Sequence, residues 1–248
     1  MREAPNQNRA ASQTARATLL LREMIIDGHF QPGERIKEIP LAAKLRVSRI
    51  PLRLVLERLA HEGLLGIRPT RGFVVQQFST IDIYDAIDLR GMLEGTAARL
   101  ASERLRDPRD LLPSRQSIEG MEALFQRGKL TLDAFTSYID LNARFHASLV
   151  DLSHSRILRR AINQACSLPF ASPSAFLFKQ HFLADSRQLF LIALEHHRGI
   201  LDAIANREGM RAETLAREHA RLARRNLDSA LEDRELLKSV RGGNLIEL

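Results

Sequence analysis

Val47-Ser48-Arg49-Ile50-Pro51-Leu52-Arg53, residues 47–53, is the stretch that decides how the first part of this chain folds. It begins a helix that is predicted to run from Arg49 to Glu62, and Ser48 is a residue type that caps helices. Arg49 and Arg53 are four residues apart and share one face of that helix. A different face carries apolar residues at spacings of three and four, namely Leu52, Val55, Leu56 and Leu59.

A shorter amphipathic segment precedes this helix, and a tight turn separates the two. Residues 41–45 predict a short helix, and residues 46–48 form the turn. The second helix is therefore apolar inside and arginine-bearing outside. This arrangement is typical of a helix-turn-helix, which places the N-terminal part of its second helix in the major groove of DNA.

The residues after the second helix predict a hairpin. Residues 64–68 form one strand, residues 69–72 a turn, and residues 73–75 the return strand. At the tip, Gly72 permits close approach of the backbone, and Arg71 suits a phosphate or a narrow minor groove. The hairpin is thus expected to be the wing of a winged helix-turn-helix domain.

The net positive charge is concentrated in the part of the chain that contains these elements. Residues 1–80 contain 13 Lys and Arg against 7 Asp and Glu, whereas residues 81–248 contain 24 against 23. An excess of positive charge in one segment is the electrostatic signature of phosphate contacts. We therefore expect double-stranded DNA as a partner.

Composition limits the remaining possibilities. The 248 residues suffice for two domains. Cys166 is the single cysteine, which excludes an intrachain disulfide and favours a reducing compartment. No apolar run reaches the ~18 residues of a membrane span, and residues 1–14 lack the apolar middle of a signal peptide. A cytoplasmic protein without a membrane partner is expected.

Several motifs in order resemble the winged-helix domain of GntR-type bacterial transcription regulators: residues 32–34 (Pro-Gly-Glu), residues 47–53, residues 62–64 (Glu-Gly-Leu) and residues 71–72. The resemblance covers about residues 13–78 and implies that Ser48 also touches a phosphate. Ile50 and Pro51 stand where some members of the group have polar residues that contact base edges. The DNA sequence that this helix reads therefore cannot be inferred from the resemblance. The candidate DNA-contacting residues are Arg35, Lys44, Ser48, Arg49, Arg53, Arg71 and Gly72.

From Ile81 onward the apolar spacing is helical throughout and predicts an all-α bundle of six or seven helices. The last of them is expected to run from Arg211 to about Lys238. The predicted organisation is mainly α: a disordered arm over residues 1–12, a winged helix-turn-helix domain over 13–78, an effector-binding and dimerisation domain over 79–238, and a flexible tail over 239–248.

Three histidines of the bundle lie on three different predicted helices. Asn142 and His146 are four residues apart and point into one site, while His197 and His219 lie on two later helices. Neutral imidazoles converging in a bundle core suit Zn, Ni, Cu or Fe. A single histidine on a helix is more often an ordinary core or surface residue than a metal ligand.

The same half of the chain, about residues 80–230, is similar to the FCD domain of the FadR subclass of GntR regulators. The similarity lies in Leu89-Arg90 with Leu93-Glu94, in Asn142 with Phe145-His146, in His197-Arg198 with Ile200-Leu201, and in His219. Many members hold a divalent metal through an Asp and three His. The resemblance implies a Zn or Ni site at His146, His197 and His219, with Asn142 at the position of the Asp and therefore a ligand without charge.

Arg90 has two interpretations. It could form an ion pair with Glu94, four residues later, or it could grip the carboxylate of an effector with two hydrogen bonds.

These observations favour a ligand-responsive transcription regulator, more often a repressor, that binds a pseudo-palindromic operator as a homodimer with a small carboxylate as effector. A metal-dependent enzyme using the three histidines and an architectural DNA binder without effector are the alternatives.

Overall fold

The computed structural model describes residues 4–70, 72–126, 131–168, 170–175, 187–232, 235, 237 and 240–247. The chain forms two compact units. The first comprises Met1–Thr80 with Ser167–Pro169 and Arg241–Leu248, and the second comprises Ile81–Cys166 with Phe170–Val240. The predicted fold class is confirmed, because a winged-helix unit is followed by a unit of α-helices.

The first unit contains three helices and a hairpin among its described residues. These are α1 (Ala4–Ile26), α2 (Glu38–Leu45), α3 (Arg49–His61), β1 (Leu65–Arg68) and β2 (Gly72–Val75). Its core is built by the stripe that the sequence predicts on α3 and by one side of α1. Fully buried members are Leu21, Ile25, Leu52, Val55, Leu56, Leu59 and Leu64.

The turn between α2 and α3 depends on a left-handed residue. Arg46 has φ 56° and ψ 47°, and its N–H donates to the carbonyl of Ala43 at 3.2 Å. This conformation closes α2 and redirects the chain into α3 within three residues. A non-glycine residue pays about 1–2 kcal/mol for it.

The hairpin is antiparallel and pairs Leu65 with Val75 and Arg68 with Gly72. Gly72 has φ +66°, which explains a glycine at this position. Residues 33–36 add a third, short extended segment on the other side of β2, where the N–H of Ile36 donates to the carbonyl of Phe73 at 2.9 Å.

Residues 4–12 of the predicted disordered arm are helical in the structure, because α1 begins at Ala4. The prediction rested on the lack of apolar residues. However, the segment has no glycine, its single proline is in the first helical turn, and alanine, glutamine and arginine favour helix.

Residues 241–247 do not form the flexible tail that was predicted. The N–H of Phe78 donates to the carbonyl of Leu245 at 2.8 Å, and the N–H of Glu247 donates to the carbonyl of Phe78 at 2.8 Å. Leu245 is 0% exposed and Ile246 is 7% exposed. Gly242, with φ +81°, turns the chain instead of loosening it. This segment completes the first unit.

The second unit is built from α-helices that bury their apolar faces on one another. They are α4 (Thr80–Arg104), α5 (Leu112–Gln126), α6 (Leu132–Leu152), α7 (Arg156–Ala165), α8 (Arg187–Ala205), α9 (Gly209–Ala220) and α10 (Leu222–Glu232), with a short 3₁₀ helix at Pro108–Leu111. Large side chains of the core include Met121, Tyr138, Phe145, Phe190 and Ile204.

The single long helix predicted from Arg211 is interrupted at Arg221. The N–H of Arg221 donates to the carbonyl of Glu218, three residues earlier, which makes Arg221 a turn residue between the two helices. Ala220 of α9 and Leu227 of α10, on either side of the interruption, are both buried. Across the described residues, no helix is long and apolar enough to cross a membrane.

Candidate functional site

The three histidines singled out in the sequence meet in the second unit. His146 comes from α6, His197 from α8 and His219 from α9, with exposures of 5%, 0% and 9%. The Nε2 atoms of His197 and His219 are 3.1 Å apart, and those of His219 and His146 are 3.3 Å apart. One ligand atom from each ring lies within 4.8 Å of the others.

Two glycines of α4 allow α9 to approach closely and bring His219 into this cluster. A Cβ on Gly91 would lie 2.9 Å from the Cβ of Ala220, and one on Gly95 would lie 2.7 Å from Cγ of Arg217. On the other side, the ring of Phe145 packs 4.2 Å from that of His197. The imidazole orientations are therefore fixed by packing.

Burial keeps two of the imidazoles neutral. It lowers the pKa of His197 well below its usual value, and His146 and His196 lower it further. Burial likewise lowers the pKa of His219, as do His197 and His146. The Nδ1 atoms of His197 and His219 are buried without a hydrogen-bond partner in the described part of the chain.

This donor set suits a divalent metal. Two imidazole nitrogens bound to one zinc ion at about 2.0–2.1 Å, with angles near 90–110°, lie roughly 2.9–3.4 Å apart. The two short Nε2 separations fall in this range. Without a cation, two imidazole nitrogens that face each other form a hydrogen bond only if one of them carries a proton and the other offers a lone pair.

Glu94 of α4 supports the cluster from behind. Its carboxylate accepts a hydrogen bond from Nδ1 of His146 at 3.0 Å, and both side chains are almost fully buried. Burial raises the pKa of Glu94, but His146 and Arg90 outweigh it, and the pKa falls to about 2. A carboxylate on Nδ1 holds the ring so that Nε2 is the free lone pair, as in many metal-ligating histidines.

Asn142 is buried one helical turn before His146 on α6, and its amide contacts the segment after α7. Its Nδ2 donates to Oγ of Ser174 at 3.1 Å and lies 3.4 Å from the carbonyl oxygen of Pro173. The nitrogen is thereby occupied, and Oδ1 is the atom of this side chain that can ligate a cation.

Arg90 lies one turn before Glu94 on α4 and is only 2% exposed. The Glu94 carboxylate makes its hydrogen bond to His146, and the positive charge of Arg90 also acts on it by lowering its pKa. The Nε of Arg90 is buried and has no hydrogen-bond partner among the described residues. A buried donor without an acceptor is costly, so an anion at this point would be favoured.

Glu94 is the site residue that the sequence analysis missed. The sequence places Glu94 one helical turn after Arg90, which indicates a role beside it but not its contact with a histidine. Its partner lies on another helix 52 positions away, and no local spacing indicates such a contact.

In the first unit, the beginning of α3 faces solvent. Ser48 occupies the N-cap position, but its hydroxyl makes no cap hydrogen bond. Pro51, the third helical residue, has no N–H to offer it. Arg49, Ile50 and Arg53 are exposed on the same stretch. Nε of Arg53 lies 3.2 Å from Oε1 of Glu57, one turn later on α3.

The other candidate DNA-contacting residues surround α3 in the sequence. Arg35 is exposed and pairs with Val74 of the hairpin through its backbone. Lys44 is exposed near the end of α2, and Gly72 lies at the hairpin tip. Arg71 lies outside the described residues.

An exposed arginine-bearing helix beside a hairpin wing defines a winged-helix DNA-binding protein, here joined to a helical unit with a buried histidine cluster. Residues 13–75 match the family described as bacterial regulatory proteins, gntR family, and residues 85–222 match the FCD domain. The chain belongs to the GntR family of regulators with an FCD domain. It is a DNA-binding transcription regulator, and its family and relatives are not enzymes.

Similar proteins carry regulator names. The uncharacterized HTH-type transcriptional regulator YdhC of Bacillus subtilis is 31% identical over 198 residues, covering 79% of this chain and 83% of that protein. The probable D-xylose utilization operon transcriptional repressor of Paenarthrobacter nicotinovorans is 31% identical over 180 residues, 73% of each. The Nta operon transcriptional regulator of Aminobacter aminovorans is 35% identical over 139 residues, 56% of this chain and 63% of that protein.

A solved structure supports the fold. E. coli McbR/YncC superimposes with a TM-score of 0.58 at 22% sequence identity, covering 90% of this chain and 98% of that one.

Proposed function

We propose that this protein is a cytoplasmic repressor that binds a pseudo-palindromic operator as a homodimer and releases it when a small carboxylate metabolite binds the helical unit. One helix-turn-helix covers one half-site, so two chains are needed for a two-fold operator. The observation that carries the effector part is the buried cluster of three imidazoles beside an arginine with an unpartnered Nε.

A divalent cation, zinc or nickel, is the proposed cofactor. His146, His197 and His219 would hold it through Nε2, and Oδ1 of Asn142 would be a fourth, uncharged ligand. The cation would supply positive charge and open positions that an acidic ligand can occupy. Because Asn142 brings no charge, metal affinity is expected to be lower than with an aspartate at this position.

Arg90 is the proposed direct contact for the effector carboxylate. A guanidinium presents several donors in a planar fork that matches a carboxylate. Its burial excludes water, so the pair would be stronger than one at the surface. An effector acts only through its different affinity for the two states of the protein, and the contact with Arg90 is where we expect that difference to arise.

For the operator, we propose that α3 enters the major groove with Arg49 and Arg53 at base edges. Ser48 and Lys44 would contact phosphates, because the orphan N–H groups at the start of α3 also favour an anion. Arg35, Arg71 and Gly72 would lie against the backbone or the minor groove at the wing.

The test begins with metal content by plasma mass spectrometry on untagged protein purified without chelator, expected at about one divalent ion per chain. Fluorescence polarisation then measures binding to DNA upstream of the protein's own gene while small carboxylates are added. The effector should release DNA from the wild type and from the control Arg99→Met, which changes a partly exposed arginine of the same helix. The effector should not release DNA from Arg90→Met. Equal release from both variants would contradict the role of Arg90.

A further inference from the structure

Ile50 is the most exposed of the large hydrophobic side chains in the described part of the chain, at 78%. It is the second residue of α3 and contributes nothing to the core, which α3 contacts through Leu52 and Val55 at 0% exposure. An apolar side chain so open to water adds little to the stability of the fold. What sets Ile50 apart from the other exposed apolar residues is its place in the first turn of α3.

Its position is the one from which a recognition helix reads bases. The N-terminal residues of such a helix contact base edges in the major groove. Arg49 precedes Ile50 directly, and Arg53 follows one turn later on the same exposed stretch. Pro51 is accommodated in the first turn, where its missing N–H breaks no helical hydrogen bond. Ile50 is thus presented at the helix start between two groups suited to bases or phosphates.

The chemistry of the side chain selects its partner. An isoleucine offers neither donor nor acceptor, so a base edge with polar groups facing it would be desolvated without compensation. Among the bases, thymine alone presents an apolar group in the major groove, its C5-methyl. Removing that methyl from water against Ile50 is favourable in proportion to the apolar area buried.

From this geometry we infer that Ile50 is a specificity-determining residue that selects thymine at one position of each operator half-site, by packing on the C5-methyl. The inference rests on the proposed placement of α3 in the major groove. It adds the identity of a base that the arginines do not read, since arginine pairs best with guanine.

The experiment first selects tight-binding duplexes from a random pool with the full chain. Each thymine of the selected operator is then replaced, one at a time, by deoxyuridine, which lacks only the methyl group. Fluorescence polarisation compares wild type, Ile50→Ala and the control Ile39→Ala. Ile39 is an isoleucine of similar exposure, 71%, on α2.

At one thymine in each half-site, deoxyuridine should weaken binding of wild type and Ile39→Ala by about 3- to 10-fold, the range expected for one buried methyl group. For Ile50→Ala the loss should be under about twofold. A second pair of duplexes has cytosine or 5-methylcytosine in place of this thymine. The added methyl group should tighten binding of wild type but not of Ile50→Ala.

Two results would overturn the inference in distinguishable ways. A pool that enriches no sequence contradicts sequence-specific binding itself, and the proposed function falls with it. An enriched operator in which no thymine methyl affects wild type, or in which Ile50→Ala is equally sensitive, contradicts only the thymine assignment.

Discussion

Replacement of Glu94 by glutamine is expected to destabilise the helical unit by about 3 kcal/mol in metal-free protein. The pKa of Glu94 lies at about 2 instead of 4.5, and such a shift corresponds to about 3 kcal/mol of interaction with the ionised form. Loss of one partner of a buried pair costs about 3–5 kcal/mol, because the other charge remains buried. Glutamine preserves the shape and can still accept from His146, which favours the lower value.

The assay is differential scanning calorimetry in the presence of a chelator, following the transition of the helical unit. For a unit of this size, 1 kcal/mol shifts the melting temperature by about 2–4 °C, so Glu94→Gln should lower it by roughly 6–12 °C. Glu103→Gln is the matched control on the same helix. Glu103 is 48% exposed and pairs with Arg99 at 2.7 Å, and it should cost less than about 1 kcal/mol.

The reasoning would be refuted if both variants melted within about 1 °C of each other. In that case the buried carboxylate would not balance the positive groups around it. A second readout is zinc affinity by calorimetric titration, which Glu94→Gln should weaken by about 10- to 100-fold through loss of the support behind His146.

Four further outcomes are expected. Arg49→Ala or Arg53→Ala should weaken operator binding by about 1–3 kcal/mol if these residues contact bases; unchanged affinity in fluorescence polarisation would remove them from the recognition set. His197→Ala should abolish metal retention in plasma mass spectrometry and leave DNA binding of the apo-protein largely intact, whereas wild-type metal content would show a misassigned ligand. Arg46→Gly should relieve its left-handed conformation and stabilise the winged-helix unit by about 1 kcal/mol in calorimetry; a lower melting temperature would mean that the side chain outweighs the strain. Light scattering should show a dimer, and a monomer at micromolar concentration would contradict two-half-site binding.

Local signals in the sequence were sufficient for the helix-turn-helix and the hairpin, but not for the full length of α1 or for the segment 241–247. The turn after α2, the apolar stripe of α3 and the glycine at the hairpin tip each depend on neighbours within a few residues. Such signals act through backbone preferences and side-chain spacing, which a single sequence displays directly.

Contacts between residues that are far apart in the sequence were harder to predict. The convergence of His146, His197 and His219 was suggested by a resemblance, because spacing alone does not say which helices pack together. The bond between Glu94 and His146 could not be predicted, since Arg90, four residues away, is visible in the sequence as a neighbour of Glu94 and a histidine on another helix is not. The small residues Gly91 and Gly95, which admit α9, are recognisable only once α9 is known to lie there.

The segment 241–247 has a consequence for biosynthesis. On the ribosome, the helix-turn-helix and the hairpin emerge early. The residues that form backbone hydrogen bonds with Phe78, Leu245 and Glu247, are translated only after the helices of the second unit. Until then, the surface that Leu245 and Ile246 will cover stays open to solvent. The DNA-reading unit is therefore expected to mature after the helical unit that precedes this segment, which delays DNA binding by a nascent chain until the helical unit has been translated.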